Sequence, residues 1–175
     1  GYFQRNSEFR FRMKDGSERT CLTSADLLRL GGQTCVLTVL NDITERKQAE
    51  VARQAAEERF AKAFQASPQA MCINRVADGR YIDVNASFAN LVDYPLAEII
   101  GRTSFEVGIW ADPQARAATN QAIIEQGSNR DFEHRFYTRK GELRDIVAAG
   151  VAIEVDGEPC ILSVVNDVTA RKQAE

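Results

Sequence analysis

The sequence predicts an α+β fold in which one antiparallel sheet carries its helices on one face, preceded by a three-stranded antiparallel meander and a linking helix. Three observations lead there. The run Asn41–Glu50 returns as Asn166–Glu175, an offset of 125 residues (166 − 41). The match extends upstream without a gap through Glu8 and Glu133, Phe11 and Phe136, Gly16 and Gly141, Gly32 and Gly157, and Cys35 and Cys160, so one fold occurs twice in series. Within each copy, strand-like runs alternate with glycine turn signals. Between the two meanders, strands and helices are segregated, which favours an antiparallel sheet with helices laid on it. Residues 57–132 of the second copy have no counterpart ahead of residue 1, so the chain is expected to begin inside its first domain.

The elements follow in order. Residues 7–13 alternate, with Phe9 and Phe11 between Glu8, Arg10 and Arg12, and read as a strand. Lys14-Asp15-Gly16-Ser17 turns the chain, because Gly16 can take a positive φ. Residues 18–30 form a second strand, Gly31-Gly32 a second turn and Thr34–Leu40 a third strand. Glu45–Ala66 is rich in Ala, Glu, Gln, Lys and Arg, holds no Gly or Pro, and is a helix by propensity. Asp42 caps it, with Glu45 three residues on, and Ser67-Pro68 stops it. Ala49, Ala52, Ala56 and Ala63 fall at heptad-like spacing, so the helix reads either as a lone linker or as a parallel coiled coil between subunits.

Residues 69–76 and 80–84 form a hairpin around Ala77-Asp78-Gly79. Asn85 caps a short helix whose apolar face is Phe88, Leu91 and Val92. Pro95 opens another, with Leu96, Ile99 and Ile100 on one face and Gly101 at its end. After a loop holding Phe105, Ile109 and Trp110, Asp112-Pro113 opens a longer helix that Gly127 closes. The meander then repeats over 131–138, 143–155 and 160–166.

Composition excludes several classes. A net charge of −3 with scattered basic residues leaves no nucleic-acid footprint. No apolar run is long enough for a membrane span, and no signal peptide opens the chain, so a cytoplasmic location without membrane contact is expected. Cys21, Cys35, Cys72 and Cys160 lie far apart without a C-x-x-C pair and read as buried strand thiols. No catalytic triad, phosphate loop or metal cluster is visible, so no catalytic residues and no metal ligands are assigned and the chain is not expected to be an enzyme.

These residues resemble the PAS domain family of the sensory-box type. Glu58-Arg59-Phe60…Phe64…Ser67-Pro68 looks like its entry helix, and Asp78-Gly79-Arg80-Tyr81-Ile82-Asp83-Val84-Asn85…Phe88 resembles its first hairpin and Asn cap. Tyr94-Pro95-Leu96-Ala97-Glu98-Ile99-Ile100-Gly101 is similar to the segment before its pocket helix. Arg139-Lys140-Gly141-Glu142 resembles a strand turn, and Asn166-Asp167-Val168-Thr169 the Asp-x-Thr exit signature with its PAC-like motif. One departure is Asp93, where the family usually has Gly; Asp tolerates left-handed conformations better than most residues.

The resemblance implies a five-stranded antiparallel PAS fold. Residues 1–43 would be the C-terminal half of a first domain, 44–66 a linker helix, 67–169 a complete domain and 170–175 the start of an exit helix. It also implies a bacterial-type tandem sensor or dimerisation module of a signal-transduction protein, coupled in the same parent chain to an output such as the histidine kinase of a two-component system or a diguanylate or other nucleotide cyclase. A homodimer and an unknown small ligand are the expected partners. A ligandless spacer and a haem- or flavin-bearing redox or gas sensor are the alternatives. Ser104 stands where light-sensing relatives carry a reactive cysteine, so no covalent flavin adduct is expected. Haem is not expected either, because residues 113–126 hold no histidine; His134, in the following strand, is the only one in the chain.

The expected ligand pocket is lined by Phe88, Leu91, Ile99, Phe105, Ile109, Trp110 and Ile123, on inward stripes or on the loop over the sheet. The expected signal junction is Asp42, Thr44, Asp167 and Thr169, where a carboxylate at a helix start satisfies free N–H groups, with Arg46-Lys47 and Arg171-Lys172 as ion-pair partners. Asn74 shares one face of its strand with Cys72, and alternation does not say which face lines the pocket.

Overall fold

A computed structural model describes residues 4–174 and divides the chain into two units, one ending at Arg59 and one beginning at Phe60. The first unit is a three-stranded antiparallel sheet of β1 (Gln4–Arg12), β2 (Glu18–Leu30) and β3 (Gln33–Asp42), in that order. The turn between β2 and β3 is the two-residue Gly31-Gly32, with φ of 57° and 86°. A hairpin this tight needs positive φ at both positions, which glycine supplies at low cost. Helix α1 (Thr44–Ala66) follows.

The second unit contains β4 (Ala70–Arg75), β5 (Tyr81–Val84), the short helices α2 (Ala86–Val92), α3 (Leu96–Ile99) and α4 (Ser104–Val107), the longer α5 (Pro113–Gln126), then β6 (Ser128–Tyr137), β7 (Leu143–Val155), β8 (Glu158–Asp167) and α6 (Thr169–Gln173). Its sheet has the order β5-β4-β8-β7-β6, antiparallel throughout. The α+β reading and the antiparallel five-stranded sheet therefore hold. The internal repeat is visible in backbone detail as well. Asn6 and Asp131, one repeat apart, both take positive φ, and both lie where the first and second meander strands shift register. Short polar side chains tolerate this left-handed bulge conformation.

The helical face of the sheet carries the main core: Phe88, Ile99, Ile109, Val84, Val92 and Ile146 are all essentially inaccessible. On the opposite face Phe64, near the end of α1, packs with Ile73 and Cys160. Asn85 joins these layers. Its Oδ1 accepts from Met71 N and Phe88 N, and its Nδ2 donates to the carbonyls of Phe64 and Gln69. Asp93 ends α2 with φ 60° and ψ 34°, so the residue that departs from the family pattern adopts the left-handed cap a glycine would take. Its carboxylate pairs with Lys140 Nζ at 2.8 Å. One element was missing from the sequence reading. Residues 104–107, taken as loop, form α4, held by a capping box between Thr103 and Glu106.

Candidate functional site

A cavity of about 30 Å³ lies between α5 and the sheet, room for one or two waters. Its sheet side is formed by Cys72 and Asn74 of β4, Tyr81 of β5, and Ile146, Ala148, Ser163 and Val165 of β7 and β8. The face of β4 left open by alternation is thus the Cys72/Asn74 face. Arg116, Thr119, Asn120 and Ile123 of α5 close it, with Trp110, Phe132 and Phe136 at one side. Helix α5 comes this close because β7 has Gly150 beneath it: a Cβ there would stand 2.5 Å from Ile123 Cδ1. The stretch before α5 is pinned along β6, with Tyr137 N donating to Ile109 O at 2.7 Å and Ala111 N to Arg135 O at 3.2 Å.

The seven expected pocket residues separate into three groups. Trp110 and Ile123 border the cavity. Phe88, Ile99 and Ile109 are buried core, with Leu91 packed against it. Phe105 is 51% exposed and lies outside the cavity, because α4 turns its ring outward beneath the Arg116 guanidinium, 5.3 Å from the ring centroid. The sequence reading missed Arg116 and Tyr81 and left the aim of Asn74 open. An arginine in a helix ordinarily faces solvent, and its periodic position beside Thr119 and Ile123 was the available signal.

Burial dominates the ionisation of the lining. The Cys72 thiol is pushed up to about 12 by burial, against the pull of the Arg116 charge. Burial also raises the Tyr81 phenol well above its usual range, and Arg116 again opposes it. Both groups are therefore neutral at physiological pH, and Cys72 is no nucleophile. Ser104 is fully buried at the start of α4.

His134 lies against Thr119, whose Oγ1 is 2.9 Å from its Nε2, and against the Trp110 ring at 4.4 Å between centroids. It is a packed strand residue. Burial lowers its pKa, and Asp112 opposes the shift. The folded state thus disfavours the imidazolium, so the unfolded chain binds the extra proton first. Stability should fall as pH drops below about 6.5, the ordinary histidine value. His134→Gln should flatten that part of a thermal-melt profile between pH 7.5 and 5.5; an unchanged profile would reject the assignment.

The junction is built twice with the same parts. Thr169 N donates to Asp167 Oδ1 at 2.9 Å, and Asp145 N donates to Thr169 Oγ1 at 2.9 Å. Arg144 Nη1 meets Asp167 Oδ2 at 2.9 Å, and Lys172 Nζ meets Glu133 at 2.6 Å. One repeat earlier, Thr44 N donates to Asp42 Oδ1 at 2.9 Å and Thr20 N to Thr44 Oγ1 at 2.8 Å. Arg19 pairs with Asp42 at 3.4 Å and Lys47 with Glu8. Two details differ from the sequence reading. Each Asp sits one residue before the cap position, so its carboxylate meets the first helical N–H; the α6 cap itself is Val168, without a side-chain bond. The ion-pair partner of each Asp comes from the middle meander strand, while Lys47 and Lys172 reach the first strand. Burial works against ionisation of Asp167, but Thr169 and Arg144 outweigh it and hold the carboxyl below its usual value.

Among the described residues no group of His, Cys, Asp and Glu side chains could hold a metal, and no helix is long and apolar enough to cross a membrane. The PAS domain model matches residues 68–170. A methyl sulfide methyltransferase-associated sensor from Methanosarcina acetivorans is 28% identical over 131 residues; the match covers 75% of this chain but only 13% of that protein. The PAS domain of an HTR-like protein from Haloarcula marismortui superposes with a TM-score of 0.52 at 23% identity, covering 69% of this chain and 98% of that one. A PAS domain from Colwellia psychrerythraea gives 0.56 at 23% identity, covering 66% and 99%. Fold, motif order and family match agree, and the chain belongs to the PAS domain family.

Proposed function

We propose that the chain is a sensory module that takes up a small ligand between α5 and the sheet and passes its occupancy to the helices that leave the two sheets, α1 and α6. An output domain in the same parent chain, a histidine kinase or nucleotide cyclase, would read the change. One observation carries this reading: the strands that line the cavity are those that hold the junction. Ile146 and Ala148 line the cavity from β7, and Ile146 pairs with Asp167 across the β7–β8 ladder. A change in cavity volume is thus one residue from the Arg144–Asp167–Thr169 contacts. Packed interiors transmit such displacement, because they leave little free space.

The test separates the cavity from the junction. Ala148→Ile, which fills the cavity, should alter hydrogen exchange at Thr169–Gln173. Asp167→Ala should cost about 1 kcal/mol, as loss of a helix-start acceptor typically does, and should uncouple α6 from the cavity change. Exchange at α6 that ignores both substitutions would reject the reading.

Self-association is part of the same proposal. Among the described residues β3 has no strand on its outer side, whereas the corresponding β8 lies between β7 and β4. Val36, Leu37, Val39 and Leu40 of β3 are each more than half exposed. An apolar open edge of this kind recruits another strand. A polypeptide of residues 1–175 should give a dimer mass by light scattering at tens of micromolar, and Leu37→Lys should reduce it. A monomer mass at that concentration would defeat the expectation.

A further inference from the structure

The cavity holds a charge without a counter-charge. Arg116 is 6% exposed and carries a guanidinium, a planar fork of donors with no acceptor. Its polar partner is the Gly79 carbonyl at 3.3 Å, and its guanidinium lies 5.3 Å and 5.8 Å from the Phe105 and Trp110 ring centroids. Among the described residues no carboxylate pairs with it. Gly79 lets the guanidinium lie against the turn backbone, since a Cβ there would stand 3.1 Å from Nη1. Arg116 is one of the residues that line the cavity, together with Cys72 and Tyr81. A buried cation of this kind is costly unless an anion compensates it.

A second, separate observation points the same way. Asn74 is 5% exposed, lines the same cavity, and its Nδ2 has no hydrogen-bond partner among the described residues. Unpartnered buried donors are rare in folded proteins. A guanidinium and a free amide N–H₂ are both donors only. The complementary guest is a negatively charged group made of acceptors only. Ile123, Phe136, Ile146, Ala148 and Val165 give the lining an apolar part, and Cys72, Tyr81, Thr119, Asn120 and Ser163 add neutral polar groups. The space, about 30 Å³, limits the guest to a few heavy atoms.

We propose that Arg116 and Asn74 bind the head of a short-chain monocarboxylate of acetate size, with its alkyl end against the Ile123–Val165 wall. The carboxylate presents two oxygens to the planar fork of Arg116, a pairing with geometric as well as electrostatic preference. The methyl end would meet the apolar part of the lining. This rests on the reading of the cavity as the ligand site.

The test is calorimetric titration of the 1–175 polypeptide with sodium acetate, at constant ionic strength, against acetamide and sodium chloride. Acetate should bind saturably with one site per chain, while acetamide and chloride should not. Arg116→Gln should weaken acetate at least tenfold, and Arg116→Lys should recover part of the loss, since it keeps the charge but not the fork. Asn74→Leu, which leaves the charge in place, should weaken it severalfold and guards against misfolding of the arginine variants. No acetate binding to the folded protein at tens of millimolar, or equal binding of acetamide or chloride, would overturn the proposal. Hydrogen exchange at α6 distinguishes the two levels. Acetate binding without change at α6 keeps this site and rejects the sensory coupling. An α6 response to Ala148→Ile without acetate binding does the reverse.

Discussion

Asn85→Leu should lose about 3–6 kcal/mol of stability, read as a fall in the urea midpoint at unchanged slope. Asn85 is fully buried, and its amide serves backbone groups from three places in the chain. Oδ1 accepts at 2.9 Å from both Met71 N, on β4, and Phe88 N, in the first turn of α2. Nδ2 donates to Phe64 O at 3.0 Å and Gln69 O at 2.8 Å, at the end of α1 and in the link to β4. Leucine keeps the branched side-chain skeleton, but it strands the Met71 and Phe88 N–H groups and the Gln69 carbonyl, while Phe64 O keeps its bond from Ser67 N at 3.4 Å. Each buried orphan costs about 1–3 kcal/mol, and partial relaxation keeps the total below the sum. Ser87→Ala is the natural control. It removes one partly buried bond, from Ser87 Oγ to Ser67 O at 2.7 Å, and should cost about 1 kcal/mol. A loss for Asn85→Leu no larger than that for Ser87→Ala would show that the amide is replaceable.

Asn85 also marks the boundary of what the sequence made legible. Its role as cap was readable from an Asn ahead of an i, i+3, i+4 apolar stripe, but its reach back to α1 and β4 was not, because those contacts span 14 to 21 positions. The meanders were legible for a local reason: Gly31-Gly32 and Asp156-Gly157 fit two-residue turns and fix the register of the strands they join. Helix α4 was overlooked although Thr103 and Glu106 carry its capping box, since four residues hold no periodicity to detect. The pocket was the least legible part. Apolar stripes identified residues that face inward, and six of the seven do so or pack at the core, Phe105 being the exception. They could not tell a residue that fills the core from one that borders a void. That distinction depends on Gly150 admitting Ile123, and on α5 crossing β7 at that point. Arg116 escaped because polar residues are normally placed outside, and Asn74 stayed open because strand alternation does not say which face is covered; only tertiary packing decides both.

Phe88→Ala should be comparably destabilising, by about 3–5 kcal/mol, the usual range for deleting a buried phenylalanine ring. Phe88 is inaccessible to solvent and sits between two aromatic partners. Its ring centroid is 5.6 Å from that of Tyr81 at 53° and 6.5 Å from that of Phe136 at 73°. The first contact is tilted and the second is edge-on, and such aromatic pairs add to simple area burial. Tyr81 and Phe136 also line the cavity, so the space vacated by Phe88 lies directly behind two of its walls. If those rings relax into the void, the cavity beside Arg116 widens; if they stay, a second apolar cavity forms. Either outcome creates apolar volume where the wild type is closely packed, and dry cavities of that kind take up small apolar guests. Xenon should therefore shift resonances around Tyr81 and Phe136 in the variant and not in the wild type. Leu91→Ala, at a partly buried position on the same helix, should cost less and open no such site. A stability loss for Phe88→Ala below that for Leu91→Ala would mean that α2 is not the helix that closes the core over β5 and β6.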